Sequence, residues 1–342
     1  MRARLAASVL IQPFDPQADT PQLRACHQIM AAAWPVDHPG LPPQSFPRFA
    51  AWWAHGGVPA RSWLARDQSG EPAGCCLLTL PDRQNQAMTG CCLVIHPDRR
   101  RAGLGTELLA HCAAQARQAG RSRLASTGAT RTRVREGSPG AAFAAAAGAS
   151  SGLAEVIRTQ ELTPDLSARL AGLRAEAASN SAGYELLSWS GASPADQEAA
   201  VARVHGAMAD APRAAGPEPE VWDAARVRRA EQSELGHGQL LYTVAARLPG
   251  TAELAALTQV STDPEAPGWA LQDITAVLPG HRGHRLGLRV KIGMLDLLAR
   301  HEPRLRRILT GNARGNDHMI AINTRLGYQI SDIYWSWELD LR

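Results

Sequence analysis

Two stretches of this chain gather arginine, glycine and histidine where a strand turns into a helix. In the later one, Asp273 to Leu278 is an apolar, β-branched run, and Pro279 to Arg285 is a turn rich in Gly, His and Arg. An amphipathic helix follows at once. The first N–H groups of a helix lack intrahelical acceptors, and the macrodipole leaves its positive end there. A loop carrying Arg282, Gly283, His284, Arg285, Leu286 and Gly287 at that place suits an anion, and a pyrophosphate in particular. The earlier stretch repeats the device. Cys91 to Asp98 leads through Arg99, Arg100, Arg101 and Ala102 to Gly103, Leu104 and Gly105, and again a helix follows. One such loop is a weak signal in a chain rich in Arg and Gly. Two copies, each after a strand and before a helix, reinforce each other.

The paired loops resemble the pyrophosphate loop of the GNAT N-acetyltransferase superfamily, Arg/Gln-x-x-Gly-x-Gly/Ala. Arg100, Gly103 and Gly105 fill that pattern. In the second copy Arg282 and Gly287 match, and Arg285 stands where the middle glycine is usual. The resemblance implies an α/β (mixed α+β sheet) architecture of two tandem GNAT folds. It implies acetyl-CoA as co-substrate and an amine as acceptor, with no metal. The fourth and fifth strands of each fold are then expected to splay where coenzyme A inserts. A backbone N–H near Val277 would meet the acetyl carbonyl, Thr275 and Val277 would line the cofactor site, and Arg282 to Gly287 would cradle the pyrophosphate. Superfamily members often follow with a helix carrying an asparagine, a tyrosine and a Gly-aromatic pair. Asn316 falls on the asparagine and Gly327-Tyr328 on the pair, with Asn312 close by. The tyrosine that protonates the leaving thiolate falls on Asn323, and an amide is a poor acid. The first half has the better phosphate loop (Arg100, Arg101, Gly103, Gly105) and the poorer helix, where Phe143 sits one residue from the tyrosine position. The second half is favoured as the working one.

A transferase of this kind needs a base for the amine proton. Asp273 is the candidate, because strand alternation puts it on one face with Thr275 and Val277. The alternative is a structural aspartate. His281 and His284 are further candidates, although loop histidines beside arginines are commonly solvated.

These residues need elements to hold them. Ser8 to Phe14 reads as a strand, Thr20-Pro21 starts a helix to Trp34, and Pro35 to Pro43 breaks it. Ser45 to His55 is a second helix, with Trp52 and Trp53 in the core or on an acceptor wall. Three strands, a helix closed by Gly120, a strand from Leu124 to Thr127, a helix opened by Ser138-Pro139, and a closing strand from Leu153 to Leu162 complete the first half. A helix from Thr163 to Ser179 bridges the halves, and the order then repeats up to Leu341. A proline-rich loop, Ala211 to Pro219, separates the two early helices of the second half. The expected division is 1–162, a helical linker 163–182, and 183–342.

Length and composition agree with two ordinary domains: 342 residues, 45% hydrophobic. No apolar run approaches the ~20 residues of a membrane span. The expectation is a cytoplasmic protein, monomer or homodimer, acting on small-molecule amines. Peptide amines, or a non-catalytic acyl-CoA-binding role, are the competing readings. The net charge of +4 is built from arginine, since Lys291 is the only lysine. With so much Ala, Gly and Pro, that is the composition of a GC-rich, for example actinobacterial, genome, so the arginines do not point to nucleic acid. The six cysteines include the neighbours Cys75-Cys76 and Cys91-Cys92. Neighbours in a strand face opposite ways, so these read as reduced core residues and not a metal clamp.

Overall fold

The computed structural model describes residues 9–38, 41–54, 58–126, 130–131, 139–210, 218 and 220–342. The expectations at Ser8, His55, Thr127, Ser138 and Ala211 to Pro219 lie wholly or partly outside these residues. The first half runs β1 (Leu10–Phe14), α1 (Pro21–Asp37), α2 (Phe46–Trp53), β2 (Ala60–Arg66), β3 (Pro72–Thr79), β4 (Met88–Ile95), α3 (Leu104–Gln118), β5 (Arg123–Ser126), β6 (Thr130–Arg131), α4 (Pro139–Ala146) and β7 (Ser150–Glu161). Where one bridging helix was expected there are two short ones, α5 (Leu166–Arg169) and α6 (Ala171–Asn180). The order then recurs as β8 (Glu185–Ser190), α7 (Glu198–Gly206), α8 (Ala224–Gly236), β9 (Leu240–Arg247), β10 (Leu254–Thr262), β11 (Trp269–Val277), α9 (Leu286–His301), β12 (Arg307–Ala313), α10 (Asp317–Arg325) and β13 (Gln329–Asp340).

Contacts divide the chain into two compact units, 1–152 with 334–342, and 153–333. In the first, the strands lie in the order β1, β2, β3, β4, β5, with the end of β13 beside β5. In the second they lie β8, β9, β10, β11, β12, with β7 beside β12. The chain therefore passes between units within β7 and again within β13. The sequence places 153–162 at the close of the first half, yet Glu155 to Glu161 pair with β12. Nothing local in a strand names its neighbour, because any apolar strand of matching pleat can close a sheet.

Local chemistry sets the helix ends. Thr20 Oγ1 accepts from the Leu23 N–H at 3.1 Å, and Pro21 needs no donor at the first turn. α1 does not stop before Pro35 but carries it and runs on to Asp37. The fixed φ of proline is helical, and this one stands two residues before the helix ends, so the bond it removes lies in the last turn. In the second unit, α9 buries Leu286, Leu288, Val290, Met294 and Leu298 against the sheet. Each buried leucine contributes about 1.5–3 kcal/mol, so the start of α9, where the loop ends, is firmly seated. α7 and α8 pack on a separate core with Ala245, Leu257 and Ile274, on the other face of the same strands.

Candidate active site

The two loops have the same backbone. Each opens with a single 3-10 turn, Pro97–Arg99 or Pro279–His281, after which Arg100 or Arg282 is extended at φ −70° or −71°. Two left-handed residues follow in each. They are Arg101 (φ 65°) and Gly103 (φ 92°) in the first loop, and Gly283 (φ 88°) and Arg285 (φ 55°) in the second. Arg285 thus adopts the conformation of the glycine it replaces. A Cβ at Gly103 meets nothing within 4 Å, so that position demands a dihedral and not empty space. The arginine costs about 1–2 kcal/mol of strain and leaves the loop's shape unchanged. Neither Gly103 nor Arg285 caps its helix through a side chain. The first intrahelical bond recorded at α9 runs from the Arg289 N–H to the Arg285 carbonyl, so the N–H groups before it point out of the helix end.

The side chains around the loops differ. Arg100 donates from Nε to the Ile95 carbonyl (3.1 Å) and from both Nη atoms to the Asp37 carboxylate (2.8 and 2.6 Å). Its side chain is only 22% exposed. A Cβ on Gly105 would lie 3.3 Å from the Phe143 ring, so an aromatic rests against the first helix start. Arg282 makes one bond, Nη2 to Asp210 Oδ2 at 2.7 Å, and is half exposed. At Gly287 the neighbour is the slimmer Ile322, 3.2 Å from a Cβ. A Cβ at Gly287 would press the end of the Ile322 side chain and touch Val277 at 3.7 Å, so a small residue fits there best.

The expected splay is present. β11 and β12 pair in parallel only from Trp269/Arg307 to Gln272/Thr310, although β11 continues to Val277 and β12 to Ala313. A cavity of about 280 Å³ opens at this place. Thr275, Ala276 and Val277 form one wall, and Arg282, Gly283, Arg285, Leu286 and Gly287 another. Asn316, His318, Met319, Ile322 and Arg325 close it from α10. The Leu278 N–H donates to Ala255 of β10 at 2.9 Å. Successive residues of a strand aim their N–H groups at opposite edges, so that of Val277 points to the edge that β12 has left.

Not every expected residue reaches the cavity. His284 does not line it, and its ring lies 5.5 Å from that of Tyr184. Asn312 accepts from Asn323 Nδ2 at 2.7 Å, and Asn323 is fully buried, so the residue in the tyrosine position is a structural amide. Asn316 does line the cavity, while its Oδ1 caps α10 by accepting from Met319 N–H at 3.3 Å. Its amide N–H groups are what it has left to offer. His281 accepts from or donates to the Tyr184 hydroxyl through Nδ1 at 2.9 Å. Asp273 is exposed and outside the cavity lining. The register against β10 steps from Ile274 to Gln272 as β10 advances by one residue, from Gln259 to Val260. This bulge at Asp273 interrupts the alternation that grouped it with Thr275 and Val277. Arg100, Arg101, Gly103 and Gly105 belong to the other unit's loop.

Behind the cavity wall lies a polar network that the sequence did not announce. Lys291 Nζ donates to Gln272 Oε1 at 2.7 Å, and the ammonium sits 4.7 Å over the Tyr328 ring. The Tyr328 hydroxyl donates to the same oxygen at 3.3 Å. Gln272 Nε2 donates to Thr258 Oγ1, which is 2.8 Å from Thr275 Oγ1. Burial pulls the Lys291 amine down to about 7 and pushes the Tyr328 phenol well up.

Comparison with known proteins agrees with this geometry. The sequence profile of the acetyltransferase (GNAT) family matches residues 23–135. A tandem GNAT protein from the clavulanic acid biosynthesis pathway, solved without AcCoA, is 28% identical. The match covers 98% of this chain and 99% of that one, at a TM-score of 0.80. The chain has the fold of a tandem GNAT protein, and its first half matches the acetyltransferase (GNAT) family. A GCN5-related N-acetyltransferase from Sphaerobacter thermophilus shares the fold at 14% identity, over 98% and 96% of the chains, with a TM-score of 0.64. A glucosamine N-acetyltransferase region of a fungal multi-domain β-N-acetylglucosaminidase does so at 13%, over 99% and 39%, at 0.62. No curated protein matches in sequence.

The family profile falls on the half whose loop keeps both glycines. The geometry around the loops points the other way, because profile matching reads residue types while Asp37 and Phe143 act through space. Asp210, His318 and Arg325, which line the cavity, went unnoticed in the sequence. His318 and Arg325 are seven residues apart and share a face of α10, but that face lies opposite a stripe drawn from Asn316, so the motif did not lead to them. Nor did any motif lead to Asp210. All six cysteines are buried and free, and burial pushes the Cys92 thiol well up. Among the described residues no cluster of His, Cys, Asp and Glu has metal-holding geometry, and no helix is long and apolar enough to cross a membrane.

Proposed function

We propose that the second half binds acetyl-CoA in the cavity at the β11/β12 splay and transfers its acetyl group to the amine of a small molecule. The observation that carries this reading is that cavity, flanked by the start of α9 and by a half-exposed Arg282. The pantetheine arm runs along Thr275 to Val277. The Val277 N–H meets the carbonyl oxygen as it gains charge. Gly283 to Gly287 and Arg282 take the pyrophosphate, and the Asn316 amide takes the arm. The first half, with Arg100 held by Asp37 and Phe143 against Gly105, serves the structure. A small-molecule acceptor is supported by the tandem GNAT neighbour from a small-molecule pathway.

Titration calorimetry tests the reading. The wild type is expected to bind one acetyl-CoA per chain, and Arg282→Ala to bind about tenfold more weakly or worse, the range of a charge-assisted phosphate contact. Weakening by Arg100→Ala and not by Arg282→Ala would reverse the assignment of the halves. No binding at all would remove it.

A further inference from the structure

The polar network behind the cavity wall has a direction. A lysine ammonium carries donors and no acceptor, and that of Lys291 donates to Gln272 Oε1 at 2.7 Å. This contact settles the amide, because a flip would turn the Nε2 donors against the ammonium. The Tyr328 hydroxyl alone would not settle it, since a phenol both donates and accepts. With Oε1 turned to Lys291, Nε2 donates to Thr258 Oγ1. Thr258 has one hydroxyl proton, and the Ile274 carbonyl, which can only accept, stands 2.9 Å away to take it. Thr275 Oγ1 lies 2.8 Å from Thr258 Oγ1, so the bond between the two hydroxyls draws its proton from Thr275. Gln272 Nε2, 3.4 Å from Thr275 Oγ1, takes one lone pair there at most. The other faces the cavity.

Burial agrees with this order. Lys291, Gln272, Tyr328 and Thr258 are buried, and Thr275 is half-buried. Of these five residues Thr275 alone lines the cavity. The chain thus starts at a buried cation and ends at the wall that faces a ligand. Among the described residues no carboxylate pairs with Lys291, and a buried ammonium without a counter-ion is costly to keep. Methionine would fill the same space. What lysine adds is a donor that cannot turn into an acceptor, and with it a fixed sense for every bond down to Thr275.

We propose that Lys291 is a positioning residue: through Gln272 and Thr258 it holds Thr275 as a hydrogen-bond acceptor on the cavity wall, where the hydroxyl takes an N–H of the ligand and turns away a carbonyl oxygen. This rests on the reading of the second half as the acetyl-CoA-binding one. The proposed reaction brings two kinds of N–H into the cavity, the amides of the pantetheine arm and the attacking amine. A thioester oxygen at Thr275 would set lone pair against lone pair, so it is left to the Val277 N–H.

Two measurements separate the sources of that N–H: calorimetry with acetyl-CoA, and thiol release from saturating acetyl-CoA with hydroxylamine as the acceptor. Thr275→Val is expected to lose about tenfold in one of them, the scale of one hydrogen bond whose partner is left unpaired. Thr275→Ser keeps the hydroxyl and should restore the wild-type value. Lys291→Met should lose part of the same factor even as its thermal midpoint rises. Added to Thr275→Val it should cost nothing more, because both act through one bond. A loss of affinity assigns the N–H to the arm, and a loss of rate with affinity kept assigns it to the amine. Wild-type values of both measures in Lys291→Met, or losses that add in the double variant, would overturn the positioning role and leave the proposed function intact. A wild type that does not bind acetyl-CoA would overturn both.

Discussion

Lys291→Met is expected to stabilise the second unit by several kcal/mol at neutral pH, with a gain that fades as the solution becomes alkaline. Lys291 is 2% exposed on α9, and among the described residues its ammonium donates to Gln272 Oε1 alone. Burial lowers its amine from 10.5 to about 7. Between those values the unfolded chain keeps a proton that the folded chain has released. Unfolding free energy therefore rises with pH across this window, by up to ~1.4 kcal/mol per unit. Below about pH 7 the whole penalty is present. Above about 10.5 the amine is neutral in both states and the penalty is gone. The full span is on the order of 5 kcal/mol. Methionine matches the stem of lysine and brings no charge, and the Tyr328 hydroxyl still serves Gln272 at 3.3 Å. Replacement of buried charge by an apolar side chain commonly gains stability. Thermal midpoints of both proteins should converge as pH rises from about 7 to about 10. A constant gap would show that Lys291 carries its proton equally in both states.

That lysine also marks the limit of what local pattern conveys. The loops were legible because their chemistry is contiguous. Arg, Gly and the 3-10 turn lie within a dozen residues, and the helix they feed has plain 3.6-residue periodicity. The splay was legible through the fold that those loops imply. What closes the first loop was not, because Asp37 is 63 residues from Arg100 and sits on a turn of α1 beyond a proline expected to end it. Glu176 pairs with Arg325 of the cavity wall across 149 residues, and neither is unusual for its helix. The partner of Lys291 depends on which face of β11 Gln272 takes. The bulge at Asp273 decides that, since an alternation count carried back from Thr275 through a bulge gives the wrong face. The exchange of β7 and β13 between units has the same cause, because pairing is a property of two strands.

The proton on the amine gives the other large expected effect. If Asp273 takes that proton, Asp273→Asn should cut turnover ~10²–10⁴-fold, the usual range for a positioned base, while acetyl-CoA still binds. Acetyl transfer forms a bond from the amine nitrogen to the thioester carbon and breaks the C–S bond, so the nitrogen must shed a proton and the sulfur leaves as thiolate. In the function proposed above, the cavity walls take the thioester side of that reaction. Asp273 stands outside them, exposed at the bulge of β11, one residue past the last pair with β12 at Gln272 and four before Val277. Asparagine keeps the shape of the carboxylate and cannot take the proton. The variant's rate should recover in part at high pH, where free amine is abundant, whereas a variant damaged in shape would stay slow at every pH. Wild-type turnover of Asp273→Asn at neutral pH would return the residue to a structural role and would mean that the amine enters already deprotonated, with water carrying its proton away.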